Sequence, residues 1–341
     1  MTTVAPPVGI ATLRPVARLK TVGQAFRTSP KATTGFLIVL FFIILAFVGP
    51  HLAAYNPSAP SQAILKGPSA HHLLGTTQTG EDVFSQLLDG TGPSLEVGFL
   101  ASAVATFLSV VVGVSSGYLS RAAAETLSSV ANIFLVVPTL PLIIIIIAYL
   151  PDKGSLTTAL VISLTGWAFG ARVLRAQTLS LRNRDHILAA RAIGERRWRI
   201  MFVEMLPGLL PVILSQFLFT TVFAIVTMAS LAFLGLMNVS IWNWGTMLYW
   251  AENDQAFTLG AWWWYVPPGL CIALLGMGLG LVNFGIDELI NPRLRQRRHP
   301  QARGAARGPN EGGQGLLTGK DALAGAASRP LSPPKRLHGS A

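Results

Sequence analysis

Charge is what this sequence has least of. Only 12% of its 341 residues are Asp, Glu, Lys or Arg, against about 25% in an ordinary soluble domain, while 51% are hydrophobic and mean hydropathy is +0.51. So little charge excludes an ordinary water-exposed surface and makes lipid the expected solvent. Cysteine is scarce too: Cys271 stands alone in an apolar segment, which excludes an intrachain disulfide and a cysteine-based metal cluster. A phosphate-cradling Gly-rich loop with Lys and Ser/Thr is also missing. The nearest approach, residues 315–321, has the wrong spacing and ends in Asp321, so no ATPase site is expected in this chain. No nucleophile and base fall into a recognisable catalytic pattern. The first apolar run ends without a small-residue cleavage pattern and is expected to be a retained span.

What is present is a series of apolar runs. A membrane span needs about 20 mostly apolar residues in a helix that satisfies its own amides. Six stretches qualify: 35–52, 97–120, 127–150, 154–171, one opening near Met205 and ending near Leu236, and 262–286. The fourth is short and rich in small residues, as suits a helix packed among neighbours. Asn238, Trp242, Asn243, Trp244 and Gly245 interrupt the long uncharged stretch after Met205. The net charge of +11 would suggest nucleic acid if it were spread over the chain, but the basic residues fall between spans. With the N-terminus inside, 24 of the 26 Lys and Arg lie in cytoplasmic segments, leaving only Lys66 and Lys153 outside. The expected product is an all-α, polytopic membrane protein with six spans and both termini cytoplasmic.

The expected organisation is a cytoplasmic segment over 1–33, a first span over 34–53, an extracytoplasmic loop over 54–93, a five-helix core over 94–290 and a tail over 291–341. The tail's Gly, Ala, Pro, Ser and Arg content predicts disorder. In the outer loop, Val83, Phe84, Leu87 and Leu88 share one helical face, either as a short helix at the membrane surface or as a lip of an entrance. His71 and His72 are candidate metal ligands or, as adjacent loop histidines usually are, solvent-exposed. The Trp-rich stretch 242–264 reads as interface anchors, with a sugar-stacking platform as the alternative. Asp287 and Glu288 near the inner end of the last span suit interfacial capping or a proton relay. Gly113 and Gly117, and Gly276, Gly278 and Gly280, have the spacing for close helix packing.

The informative loop is 183–206, between the fourth and fifth spans. Residues 185–193 read as a helix, Gly194 as a tight turn, and a second helix follows with Pro207 near its first turn. Small Ala189 and Ala190 allow a partner surface to approach closely. An ordinary basic loop would account for the arginines but not for the spacing from Ala-Ala to Gly and on to Leu-Pro.

Here the chain resembles the inner-membrane permeases of ATP-binding-cassette importers, whose coupling loop runs Glu-Ala-Ala, three residues, Gly, nine residues, Ile, one residue, Leu-Pro. Ala189, Ala190, Gly194, Leu206 and Pro207 match, whereas Leu188 stands where Glu is frequent and Glu204 where Ile is frequent. Residues 72–76, 80–85, 230–235, 244–248 and 291–294 are similar to landmarks of the dipeptide, oligopeptide and nickel branch, second-permease type. Glu81 replaces a usual Arg there, and Met228 a frequent Glu. The resemblance covers about residues 35–296 and implies a type I importer permease fold in the bacterial cytoplasmic membrane.

It further implies a translocation half-pore for peptides whose coupling residues are Leu188, Ala189, Ala190, Arg191, Gly194, Glu204, Leu206 and Pro207. The third to fifth spans would line the path, with Pro138, Pro141 and Pro211 as bends and Met228 as a further lining residue. Implied partners are a second permease, one or two ATP-binding subunits that use ATP and Mg, an extracytoplasmic substrate-binding protein and membrane lipid, with no nucleic acid. The chain itself would bind no cofactor or metal. Oligosaccharides or nickel complexes are alternative cargoes. A stand-alone secondary transporter is the alternative of another class, opposed by the charge-free span interiors. A membrane-embedded enzyme would need a polar cluster at depth that is not visible.

Overall fold

The computed structural model describes residues 30–290. Residues 1–29, the tail from 291, the 315–321 stretch, the 291–294 landmark and the side chains of Asp287 and Glu288 lie outside the described residues. Among the described residues the chain is helical, with one isolated β-bridge between Thr76 and Asp82. The helices are α1 (Pro30–Leu52), α2 (Val83–Tyr118), α3 (Arg121–Val136), α4 (Thr139–Tyr149), α5 (Ser155–Leu181), α6 (Asp185–Ala192), α7 (Leu206–Phe233), α8 (Trp244–Asn253) and α9 (Trp262–Ile290). A π-helical segment, Ile200–Met205, runs directly into α7.

Five helices are long and apolar enough to cross a membrane: α1, α2, α5, the continuous Arg197–Phe233 helix and Trp262–Ile286 within α9. The sixth crossing differs from the expected straight span over 127–150. Helices α3 and α4 meet at 87°. The cause is Pro138, which has no amide hydrogen to donate and disfavours helical geometry in the residue before it. Val137 (φ −73°, ψ 128°) and Pro138 (φ −60°, ψ 117°) are both outside the helical region, and the chain turns there. With 16 and 11 residues, the two pieces are about 24 and 16 Å long, so neither alone matches a hydrocarbon core of about 30 Å.

Helix α2 also differs from expectation, beginning at Val83 rather than near Val97. Asp82 caps it, accepting from the backbone N–H of Ser85 at 2.8 Å. Polar Gln86 and Asp89, then Pro93 and Glu96, hide these first turns from a hydropathy reading. Val83, Ser85, Gln86, Leu87 and Leu88 are all buried, so the amphipathic stretch is the start of a central helix and not a separate surface element.

Helix α2 packs most extensively on α5, and then on α7 and α1, while α9 closes against α1 and α7. The α2–α5 contact depends on missing side chains. A Cβ on Gly113 would lie 2.7 Å from the Ala171 carbonyl oxygen, and one on Gly117 2.6 Å from the Thr178 Cβ. The two backbones therefore meet directly, as helices do in lipid, where packing and polar contacts replace the hydrophobic drive. Ser109 Oγ donates across the same interface to the Trp167 carbonyl at 2.7 Å, and Thr221 Oγ1 ties α7 to α2 through Ser102 Oγ at 2.9 Å.

Gly113→Leu should lower the stability of the solubilised protein by about 1–3 kcal/mol through overpacking. Gly280→Ala, where nothing lies within 4 Å of the added carbon, should leave it unchanged. Thermal unfolding followed by aggregation-sensitive chromatography separates the two.

Candidate functional site

Helix α6 has only eight residues, Asp185–Ala192, too few to hold a helix in isolation. Its stability comes from one anchor. Ile187 is fully buried against Ile200 and Met205, with Tyr118, Leu181 and Ala190 packed around them. Positions three and four residues apart share a helix face, so the half-buried Ala190 and the exposed Arg191 lie on the same side of the helix as Ile187. Arg191 lies over the Tyr118 ring, its guanidinium carbon 4.7 Å from the centroid, and its Nε donates to the Tyr118 hydroxyl at 3.2 Å. The opposite face is left open: Leu188, Ala189, Ala192 and Ile193 are exposed, Ile193 at 78%.

Gly194 ends the helix in the left-handed region (φ +81°) with nothing within 4 Å of its Cα substituent position. That conformation suits glycine, and it turns the chain so that Glu195 N–H reaches the Ala190 carbonyl at 3.1 Å. A single helical turn, Arg197–Arg199, follows, and Trp198 on it is 57% exposed. Thus three large apolar side chains, Leu188, Ile193 and Trp198, stand in the open among arginines. The sequence pattern pointed to Ala189, Ala190 and Gly194. It did not single out Ile187, Ile193, Trp198 or Tyr118, although the four-residue step from Ile187 to Arg191 could have marked an inward face.

Glu204 is exposed on the π-helical segment, Leu206 half-buried and Pro207 exposed at the start of α7. Proline in a continuous helix cannot donate to the carbonyl four residues back, and a π-turn just upstream is a common accommodation and a place where helices bend. Pro211 lies one turn further on, inside a helix that remains unbroken. Pro138 sits at the α3–α4 break and Pro141 in the first turn of α4, where its missing N–H has no intrahelical partner to lose. Beside the break is a cavity of about 290 Å³ between α3, α4, α5 and α7, lined by Phe134, Thr139, Thr165, Phe169, Gln216 and Thr220 among others. Met228 is elsewhere: it is fully buried, packed with Val97, Ile143 and Ile162, because a thioether fills the space where α2, α4, α5 and α7 converge.

Residues 109–296, which contain α6 and its connection to α7, match the family model described as the binding-protein-dependent transport system inner membrane component. Residues 18–68 match the N-terminal transmembrane domain of oligopeptide transport permease C. The chain belongs to the binding-protein-dependent transport permease family. Among its relatives, the oligopeptide transport system permease protein OppC of Bacillus subtilis (strain 168) is 30% identical over 80% of this chain and 88% of its own length. The dipeptide transport system permease protein DppC of Alkalihalophilus pseudofirmus is 33% identical over 80% of this chain and 90% of its own. The di/tripeptide transport system permease protein DppC of Pseudomonas aeruginosa is 30% identical, over 81% and 93% respectively. This permease is therefore a multi-pass inner-membrane protein.

The end of the permease opposite α6 is closed by polar side chains that the sequence left ambiguous. His72 is not free in solvent: its Nδ1 donates to Asp82 Oδ1 at 2.9 Å, and its ring packs on Tyr55 at 4.9 Å. Asp82 Oδ2 accepts from both the N–H and the hydroxyl of Ser85, so one carboxylate caps α2 and holds the loop before it. Only His71 is exposed, and no group of three or more metal-binding side chains forms among the described residues. Four of the tryptophans have roles within the bundle. Trp244 and Trp264 are buried in the core, Trp242 Nε1 donates to Ser58 Oγ at 2.8 Å, and Trp263 Nε1 donates to the Thr76 carbonyl at 3.2 Å. The apolar bodies of Trp244 and Trp264 fill the bundle end, while the N–H groups of Trp242 and Trp263 fasten the loop.

Glu81 in that loop has its pKa raised above the ordinary 4.5, chiefly by burial, with Asp254 adding to the rise and hydrogen bonds from Thr79 and Gln86 opposing it. The folded loop therefore binds this proton more readily than the unfolded chain, and its stability falls as pH rises from 4.5 through the folded value. Amide exchange across residues 54–82 should be slower at pH 4.5 than at pH 7 after correction for intrinsic rates, and Glu81→Gln should flatten that dependence.

Proposed function

We propose that this permease forms half of the translocation pathway of a peptide importer and draws its energy from separate ATP-binding subunits that dock on α6. The observation that carries the reading is the open face of α6: Leu188, Ala189 and Ile193 exposed on a helix whose opposite face is anchored by Ile187. Small Ala189 and the turn at Gly194 let a partner surface come close, and the exposed apolar side chains supply the kind of anchor that dominates interface energies. The relatives' names support peptides as cargo.

In this reading the α6 end and both termini face the cytoplasm. The distribution of charge supports it: Arg121, Arg182, Arg191 and Arg197 gather at the α6 end, and Lys66 and Lys153 belong to the loops of the other. ATP and Mg act in the partner subunits, and this chain contributes no catalytic group and holds no cofactor. A second permease completes the pathway, and a binding protein delivers the peptide to the end closed by the tryptophans. When the ATP-binding subunits close, α6 moves with them, and the π-helical segment before Pro207 passes the motion to α7. The cavity beside Pro138, with its mixture of phenylalanine rings, hydroxyls and the Gln216 amide, supplies the pathway surface of this subunit.

The test is reconstitution of the full importer. Leu188→Asp with Ala189→Glu should leave membrane insertion intact and cut substrate-stimulated ATP hydrolysis about thirtyfold, the effect of losing an interface contact of about 2 kcal/mol. Unchanged stimulation would overturn docking through α6. Peptide uptake by the purified chain alone, indifferent to ATP, would overturn the importer reading as a whole.

A further inference from the structure

The arginines of the α6 end do more than bias orientation. Three of them, Arg182, Arg191 and Arg197, converge on one cavity of about 420 Å³, which Tyr118, Leu119, Ser120 and Ile200 also line. Arg182 is held by the Gly117 carbonyl at 3.4 Å and Arg191 by the Tyr118 ring and hydroxyl. None of the three is paired with a carboxylate among the described residues. The one carboxylate on the cavity wall, Glu195, is already bonded to Arg199 at 3.2 Å. Three cations thus face a single space whose one carboxylate is engaged elsewhere, and two of them, Arg182 and Arg191, are held there by contacts that leave their charge unopposed.

The cavity's position says what kind of anion fits. It lies where α2 ends, α3 begins, α5 has just ended and the π-helical segment leads into α7, at the ends of helices long and apolar enough to cross a membrane. Its wall combines guanidinium groups with a tyrosine and the apolar side chains of Leu119 and Ile200, so it offers charge to a phosphate and apolar surface to the carbons attached to it. Arginine is the side chain suited to phosphate oxygens, and basic pockets between spans are where anionic headgroups bind. The volume falls within the range of about 300–1,000 Å³ typical of small-molecule sites, more than a bare phosphate fills. We propose that this cavity holds the headgroup of one anionic phospholipid, clasped between the ends of α2 and α5 and the inward face of α6. The site rests on the chain's place in the membrane and not on α6 docking, and its test reads lipid directly.

The complete importer, carried in nanodiscs of phosphatidylcholine with a minor fraction of phosphatidylglycerol, is examined by native mass spectrometry for lipid retained per permease. Wild type should retain phosphatidylglycerol in preference to phosphatidylcholine. Arg182→Gln with Arg197→Gln should weaken that retention about thirtyfold, on a scale of about fivefold per basic residue at a membrane surface. Arg184→Gln with Arg196→Gln removes equal charge from the same loop outside the cavity and should change little. Arg182→Lys with Arg197→Lys, which keeps the charge, should retain most of the lipid and guards against a folding defect in the glutamine pair. Equal loss in both glutamine pairs would reduce the site to general attraction and overturn the proposal. Displacement of the lipid by millimolar inorganic phosphate would assign the cavity to a free anion instead. Loss of the ATP-binding subunits from the Arg182→Gln, Arg197→Gln importer, with lipid retention unchanged, would assign it to a partner's acidic side chain. Each of these last two results also overturns the headgroup.

Discussion

Between α2 and α5 two backbones lie in contact because Gly113 and Gly117 present no side chain to Ala171, Leu174 and Thr178. In lipid, where apolar residues gain little by leaving one apolar environment for another, such contact is the principal source of helix association. Its consequences extend past the bundle. The close approach at Gly117 sets the ends of the two helices side by side, so that the Gly117 carbonyl receives Arg182 and Tyr118 and Leu181 pack together. That pair is the floor on which Ile187 sits. A side chain added at Gly117 would separate the two helix ends and remove the seat of α6, although α6 is far from Gly117 in sequence.

This explains how eight residues can hold a helix. Helix α6 is too short to be stable by its own hydrogen bonds, so its order is borrowed from Ile187, Ile200 and Met205. Its inward side is committed to the bundle and its outward side is free. The compliant point is equally specific. Pro207 removes a hydrogen bond from the helix where the π-helical segment has already loosened it.

The apolar helices were legible because hydropathy reports directly on solvent, residue by residue. The short helix and turn over 185–194 were legible as well, since Gly194 and the Ala-Ala pair act locally. The readings that changed all depended on partners distant in the chain. Hydropathy over 127–150 sees one apolar run, and only the extended geometry at Val137 and Pro138 makes it two helices. The opening turns of α2 look polar because the groups that bury Gln86, Pro57 among them, are far away in sequence. Trp242 reads as an interface anchor until Ser58, 184 residues earlier, is found to accept its N–H. His72 reads as a loose loop residue until Asp82 is found beside it, and the burial of Met228 becomes visible only when α2, α4 and α5 are packed against it.

The arginines of the α6 end show why a pattern can be explained by one cause and still serve another. Positive charge between spans suffices to orient a membrane protein, and orientation alone asks nothing of where the side chains point. Orientation would be served equally by arginines splayed into water. Instead Arg199 is paired with Glu195, Arg172 donates to Asn132 at 2.8 Å, and Arg191 and Arg182 are held by an aromatic ring and a carbonyl that leave their charge unopposed. The convergence follows from the same α2–α5 contact that seats α6, because it is Gly117 and Tyr118, brought against the end of α5, that hold two of the three guanidinium groups. Packing without side chains at one point in the bundle thus determines where excess charge collects at its end.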